Sequence, residues 1–311
     1  MNRVTGWFFA LTLVVGCDQT VPRVTTSDAA TADAPTSDAP DCSKFISGPI
    51  GGTRPVSVYV PKSYNCAPMP LVFLLHGYTG TGAGTEAGVK LTPQAEARGF
   101  LYAFPDGTID SSGKHFWNAT DECCNYFGST VDDVGYLSNL ITEIGRHYNV
   151  DPKRVYIMGL SNGGSMAYRM ACDHADQVAG IVSLAGAMLY NVDHCKPSGP
   201  VVALHIHGTA DTTLNYDGGT IAGKPVPGAV QSVLDWVALD GCSTTPDTLL
   251  PPLDLDRALA GKETIVNRYA TDCRTGGHAE LWTIVGGQHN PTYSTSFPAT
   301  VVDFMLAHPK P

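Results

Sequence analysis

Arg154-Val155-Tyr156-Ile157-Met158-Gly159-Leu160-Ser161-Asn162-Gly163-Gly164 is the most informative run in the chain. Arg154 to Met158 reads as a short strand after the turn Asp151-Pro152-Lys153, and a helix is expected from about Asn162. Between them, Gly159-Leu160-Ser161-Asn162-Gly163 fits G-x-S-x-G. Glycines on either side permit a sharp turn with strained backbone at the serine. Such a turn lifts the Ser161 hydroxyl clear of the sheet and aims the N–H of Asn162 at the same space. A chance Gly/Ser loop is the alternative, and the strand and helix around the motif argue against it.

The neighbouring segments supply the sheet. Leu71 to Leu75 and Val201 to Ile206 are almost wholly apolar, as strands buried on both faces are. Phe100 to Phe104, Ile181 to Leu184, Thr264 to Ala270 and Leu281 to Val285 are further strand candidates, and Val56 to Val60 alternates like an antiparallel strand. Thr92 to Arg98 reads as a helix stopped by Gly99. Val134, Leu137, Ile141, Ile144 and Tyr148 recur at helical spacing, with Asp132 and Asp133 at the helix start as a cap and a surface or loop-anchoring charge. A last helix carries Val301, Phe304 and Met305 on one face. Strands alternating with helices imply a mostly parallel sheet with helices on both faces. With a nucleophile elbow, that is the α/β-hydrolase fold.

A serine hydroxyl needs a base, and in this fold the order is Ser, acid, His. His289 lies in the loop Gly286 to Pro291, past the final strand, and is the expected base; His278 precedes that strand and His308 is in the tail. Asp211 follows the strand Val201 to Ile206 and is the expected acid, with Asp217 as runner-up. The oxyanion donors are expected to be the N–H of Asn162 and the N–H of Tyr78, with Thr79 as alternative to Tyr78. His76 is expected to be structural. Trp117, Tyr126 and Phe127 form either an acyl-binding wall or the apolar anchor of a pinned loop; Trp117 is carried as the substrate-binding candidate. His205 and His207 share a strand face, and a buried structural role is preferred to metal binding.

Several of these stretches together carry a family resemblance. They are Leu75-His76-Gly77, Phe116-Trp117-Asn118, Cys123-Cys124, Val131 to Leu137, Gly159 to Gly164, His207-Gly208-Thr209-Ala210-Asp211 and Gly286-Gly287-Gln288-His289. The chain resembles the polyhydroxybutyrate depolymerase and feruloyl esterase-like family of exported α/β-hydrolases. The resemblance implies Ser161, Asp211 and His289 as triad, a Cys242–Cys273 disulfide, and hydrolysis of carboxylic esters without metal or organic cofactor. It departs from the family after His289, where Asn290-Pro291 stands in place of the usual Thr-Trp-Pro.

The N-terminus has its own logic. Arg3, the apolar run Trp7 to Val15 and Val14-Val15-Gly16-Cys17 resemble a bacterial lipoprotein signal over residues 1–17, with Cys17 lipidated; an ordinary secretory signal is the alternative. Residues 18–41 are rich in Ala, Asp, Thr and Pro and read as a disordered tether. Residues 42–311 form the expected catalytic domain. Eight cysteines remain besides Cys17, none in C-x-x-C spacing, which favours disulfides over zinc. A net charge of −10 with only 19 Lys and Arg excludes a nucleic-acid surface. The expected partners are an ester substrate, possible in polymeric form, and a membrane reached only through the lipid anchor. The expected location is the cell envelope or the extracellular space. The competing classes are a serine peptidase on the same fold and a non-catalytic polymer-binding relative.

Overall fold

Strands that are apolar on both faces need cover on both faces, and that requirement organises the molecule. The structure is a computed structural model and describes residues 45–46 and 48–311. Its sheet strands are β1 (Met69–Leu75), β2 (Leu101–Ala103), β5 (Val150–Leu160), β6 (Gly180–Leu184), β7 (Val202–Gly208), β10 (Thr264–Tyr269) and β11 (Ala279–Ile284). Two short hairpins lie outside the sheet, β3 (Thr108–Ile109) with β4 (His115–Phe116), and β8 (Gly218–Ile221) with β9 (Lys224–Pro227). The sheet order is β10-β11-β7-β6-β5-β1-β2, parallel except for β10, which pairs antiparallel with β11.

Helices α3 (Asp133–His147), α4 (Asn162–Asp173) and α5 (Ala229–Asp240) pack against one face, over Leu71, Phe73, Ile157, Ile181 and Ala203. Helices α1 (Gly82–Val89), α2 (Thr92–Arg98) and α6 (Phe297–Ala307) contribute to the core on the other face, over Val72, Leu74, Met158, Val182 and Leu204. Alternate residues of one strand thus enter separate cores. Residues Pro40–Pro311 form one compact unit. The arrangement is an α/β-hydrolase fold. Among the described residues no helix is long and apolar enough to cross a membrane.

Three elements differ from the sequence expectation. Val56 to Val60 forms no strand; Val56 bridges Ile50 and Tyr59 bridges Tyr102 at the sheet margin. Strand β5 runs through Asp151-Pro152-Lys153 instead of starting after it. The Asp151 carboxylate accepts the Lys153 N–H at 2.9 Å, and the pairing with β1 jumps from Met69–Val150 to Leu71–Val155, so the turn is held inside the strand as a bulge. Helix α5 was not anticipated, although Ala229, Val233, Trp236 and Val237 mark its buried face at helical spacing.

Candidate active site

The turn after β5 forces Ser161 to φ 53°, ψ −119°, a conformation that a non-glycine residue adopts only under constraint. The constraint is visible on both sides. Ser161 N–H donates to Leu184 O at 2.7 Å, while α4 packs so tightly that a Cβ at Gly163 would lie 2.4 Å from Leu75 O and 2.6 Å from His76 O. Glycine there lets the helix start directly on the end of β1.

Asp211 and His289 arrive on neighbouring strands. Strands β7 and β11 pair in parallel register up to Gly208 and Ile284, so the loops that follow emerge side by side. Ala210 N–H donates to Gly287 O at 2.9 Å, and a Cβ at Gly208 would meet that same oxygen at 2.2 Å. These contacts carry Asp211 and His289 to the serine. Ser161 Oγ lies 2.9 Å from His289 Nε2, and His289 Nδ1 lies 2.7 Å from Asp211 Oδ2. Asp211 Oδ1 accepts the N–H groups of Thr213 (2.8 Å) and Leu214 (2.9 Å). Burial opposes ionisation of Asp211, but hydrogen bonds from His207, His289 and Leu214 outweigh it and hold the carboxyl well below the usual range.

The other sequence candidates lie elsewhere. Asp217 immediately precedes β8, and His278 bonds Glu280 at 3.0 Å with its ring 4.3 Å from that of His308.

Comparison with known proteins adds a second line. A family model described as Esterase PHB depolymerase matches residues 55–211, just over half of the chain. The chain belongs to that family. Feruloyl esterase B from Piromyces equi is 30% identical over 228 residues, covering 71% of this chain and 39% of the relative. Feruloyl esterase D from Neurospora crassa is 25% identical over 256 residues, covering 78% of this chain and 76% of the relative. The chain spans less than half the length of several of the curated relatives it matches. Among solved structures, the acetyl xylan esterase from Aspergillus awamori superposes with a TM-score of 0.58 at 16% identity, over 81% of this chain and 94% of that one. That likeness bears on the fold alone.

Within this Esterase PHB depolymerase family member, the loop after β1 borders the serine: a Cβ at Gly77 would lie 3.3 Å from Ser161 Cβ. Thr79 N–H is committed to His115 O at 2.8 Å, which removes the alternative oxyanion donor. Among the described residues Tyr78 N–H donates to no backbone carbonyl. Asn162 stands at the first turn of α4, where backbone N–H groups lack intrahelical partners. His76 is structural: its Nε2 accepts the Gly107 N–H at 2.8 Å and its Nδ1 donates to Gly77 O at 2.7 Å. Burial lowers its basicity.

Trp117 requires a correction. It is 0% exposed and so presents no surface to a substrate. Its indole N–H donates to His76 O at 3.0 Å, and its backbone is gripped by the Asn162 side chain through bonds of 2.7 and 2.9 Å. It braces the loop after β1 against the turn at Ser161. The exposed aromatics nearby are Tyr126 (44%) and Phe127 (55%), and the Tyr126 ring stands edge-on to Tyr78 at 5.3 Å.

Asp132 caps α3 by accepting Gly135 N–H at 2.7 Å. Asp133 is buried, pairs with Arg54 at 2.5 Å and accepts Asn118 N–H at 2.7 Å, which ties the Trp117 segment down. The disulfides are Cys123–Cys124, Cys172–Cys195 and Cys242–Cys273, and Cys66 is also disulfide-bonded. Cys17 and Cys42 lie outside the described residues.

Sequence reasoning missed what lies behind the acid. His207 Nε2 is 3.1 Å from Asp211 Oδ2 and 2.8 Å from Leu214 O; His207 Nδ1 is 3.0 Å from His205 Nε2; His205 Nδ1 is 3.1 Å from the Tyr168 hydroxyl. The signal was the four-residue spacing of His207 and Asp211 across a strand end.

Proposed function

We propose that this chain is an exported serine esterase acting through an acyl-enzyme, with Ser161 as nucleophile, His289 as base and Asp211 as orienting acid. The observation that carries the reading is the unbroken Ser161–His289–Asp211 hydrogen-bond series at 2.9 and 2.7 Å. His289 Nε2 takes the Ser161 proton as Oγ attacks the ester carbonyl. The N–H groups of Tyr78 and Asn162 hold the oxyanion. The C–O bond to the alcohol then breaks, and the alcohol leaves with the proton from His289. Water, deprotonated by the same imidazole, attacks the acyl-serine and releases the acid.

Tyr78 and Tyr126, edge-on to each other at 5.3 Å, put two aromatic rings at the loop after β1 and support an aromatic acyl group such as feruloyl. The names of the feruloyl esterase relatives, and of a bifunctional acetylxylan esterase/xylanase from Neocallimastix patriciarum, point the same way, toward esters carried on a polysaccharide. Polyhydroxyalkanoate is the rival polymer within the family.

Disulfide bonding of seven described cysteines supports an oxidising compartment. Our domain assignment is a lipoprotein-type signal over residues 1–17 ending at a lipidated Cys17, a linker over 18–41 and the catalytic domain over 42–311; the first two lie outside the described residues.

The test is active-site labelling with a fluorophosphonate, followed by turnover of methyl ferulate, p-nitrophenyl acetate and hydroxybutyrate oligomers. Ser161→Ala is expected to abolish both labelling and turnover. Full turnover in that variant would reject the triad, and a preference for the oligomers over methyl ferulate would reject the aromatic acyl assignment.

A further inference from the structure

The buried chain behind Asp211 has a direction that proton counting determines. His207 Nε2 faces two acceptors, the Leu214 carbonyl at 2.8 Å and the Asp211 carboxylate at 3.1 Å. A carbonyl oxygen only accepts, so Nε2 carries a proton. With one proton on the ring, His207 Nδ1 is bare and must accept, which makes His205 Nε2 the donor across 3.0 Å. His205 Nδ1 is then bare in turn and accepts the Tyr168 O–H at 3.1 Å. Each bond polarises the next. Tyr168, His205 and His207 are fully buried, and burial, with the neighbouring His207 adding to it, drives the basicity of His205 far down, in keeping with a neutral ring.

We infer that Tyr168, His205 and His207 form a one-way hydrogen-bond chain whose terminal N–H shares Asp211 Oδ2 with His289 and thereby weakens the hold of the triad on its catalytic proton. The inference rests on the triad reading above. These three are positioning residues: none reaches Ser161 among the bonds of the site, and all act through Asp211. An oxygen that accepts two donors is a poorer acceptor for each. The imidazolium formed at His289 is therefore stabilised enough to form and is still able to release its proton to the leaving alcohol. Tyr168 also belongs to α4, the helix that begins at the nucleophile elbow, so the chain ties that helix to the strand bearing the acid.

Other titratable groups face the chain. The Tyr216 ring stands edge-on to His207 at 5.8 Å, with its hydroxyl bonded to Thr283 at 2.8 Å. Asp217 acts on Tyr216, and Asp235 of α5 acts on Tyr168. Among the described residues, the side chains that bond Asp211 Oδ2 are His207 and His289.

The experiment is the pH profile of kcat/KM for p-nitrophenyl acetate on the full chain. In His207→Leu the Asp211 carboxylate stays pinned at Oδ1 by Thr213 and Leu214 but loses one donor at Oδ2. Its pull on the imidazolium strengthens, so the acid limb is expected to move up by about one pH unit, a tenfold change in proton affinity. His207→Gln keeps a donor and is expected to stay within about 0.3 unit of the parent. Tyr168→Phe removes a single hydroxyl far from the triad, folds where His207→Leu does not, and is expected to move the limb up by about 0.3 unit. An acid limb that is unmoved in either Tyr168→Phe or folded His207→Leu, or that moves down, overturns the chain. Fluorophosphonate labelling separates this result from the parent reading. Loss of labelling only in Ser161→Ala upholds the triad whatever the limbs do, whereas activity surviving in Ser161→Ala sinks both.

Discussion

Replacing Asp211 by Asn changes one oxygen to an amide and leaves the shape intact, so its effect follows from counting donors. Four groups bond the carboxylate, and all four donate: Thr213 N–H and Leu214 N–H to Oδ1, His207 Nε2–H and His289 Nδ1–H to Oδ2. An amide has one acceptor atom and one donor atom. If its NH₂ faced Thr213 and Leu214, both N–H groups would lose their acceptor, and the buried one of Leu214 alone would cost about 1–3 kcal/mol. The NH₂ is therefore expected to face the histidines. His289 must then accept at Nδ1, which places its own proton on Nε2, pointing at Ser161 Oγ. A protonated Nε2 cannot take the serine proton. In a serine hydrolase whose acid is changed in this way the loss is about 10⁴-fold in kcat, equivalent to about 5.5 kcal/mol in the barrier. The assay is steady-state turnover of p-nitrophenyl acetate beside circular dichroism, with KM expected to change by less than about threefold. A folded Asp211→Asn enzyme that retained a tenth or more of the parental kcat would refute the argument that Asp211 sets the tautomer.

Two further outcomes follow from packing and burial. Burial pushes the Asp240 carboxyl up to about 7, against weaker lowering by the His278 and Val201 N–H groups, Arg274 and Trp236, and its Oδ1 has no hydrogen-bond partner. The folded chain thus keeps this proton up to about pH 7, while the unfolded chain releases it near pH 4; stability attributable to this group falls as pH rises between those values and is level above them. Asp240→Asn is expected to match the parent near pH 4 and to be more stable by about 4 kcal/mol at pH 8, read from urea unfolding; an equal difference at both pH values would show that Asp240 does not titrate in this window. Gly163→Ala places a methyl within 2.4 Å of Leu75 O and 2.6 Å of His76 O, both backbone atoms. It is expected to cost about 3 kcal/mol of stability and about 100-fold in kcat by displacing the Asn162 N–H; parental melting and parental rates together would show that the helix start has slack.

Much of this protein could be read along the chain because the signals are local. The apolar runs of β1 and β7, the glycine-bracketed Ser161 and the loop signals before Asp211 and His289 all lie within a few residues of what they specify. Helix α5 carried an equally local apolar pattern and was passed over, whereas α1, with three glycines in eight residues, carried almost none. Val56 to Val60 alternated like a strand but found a partner only at single bridges, because pairing depends on what lies alongside.

Composition and short-range pattern were enough to specify a parallel sheet with a serine at a strand-to-helix bend, since backbone preference and side-chain periodicity act between near neighbours. Tertiary structure alone decided that Trp117 faces inward, that Thr79 spends its N–H on His115, and that His207 reaches the same Asp211 oxygen as His289. Those outcomes depend on where β4, β7, β11 and the elbow meet in space. A hydrogen bond of 2.9 Å joins Ser161 and His289, which are 128 positions apart, and no one-dimensional pattern encodes that distance.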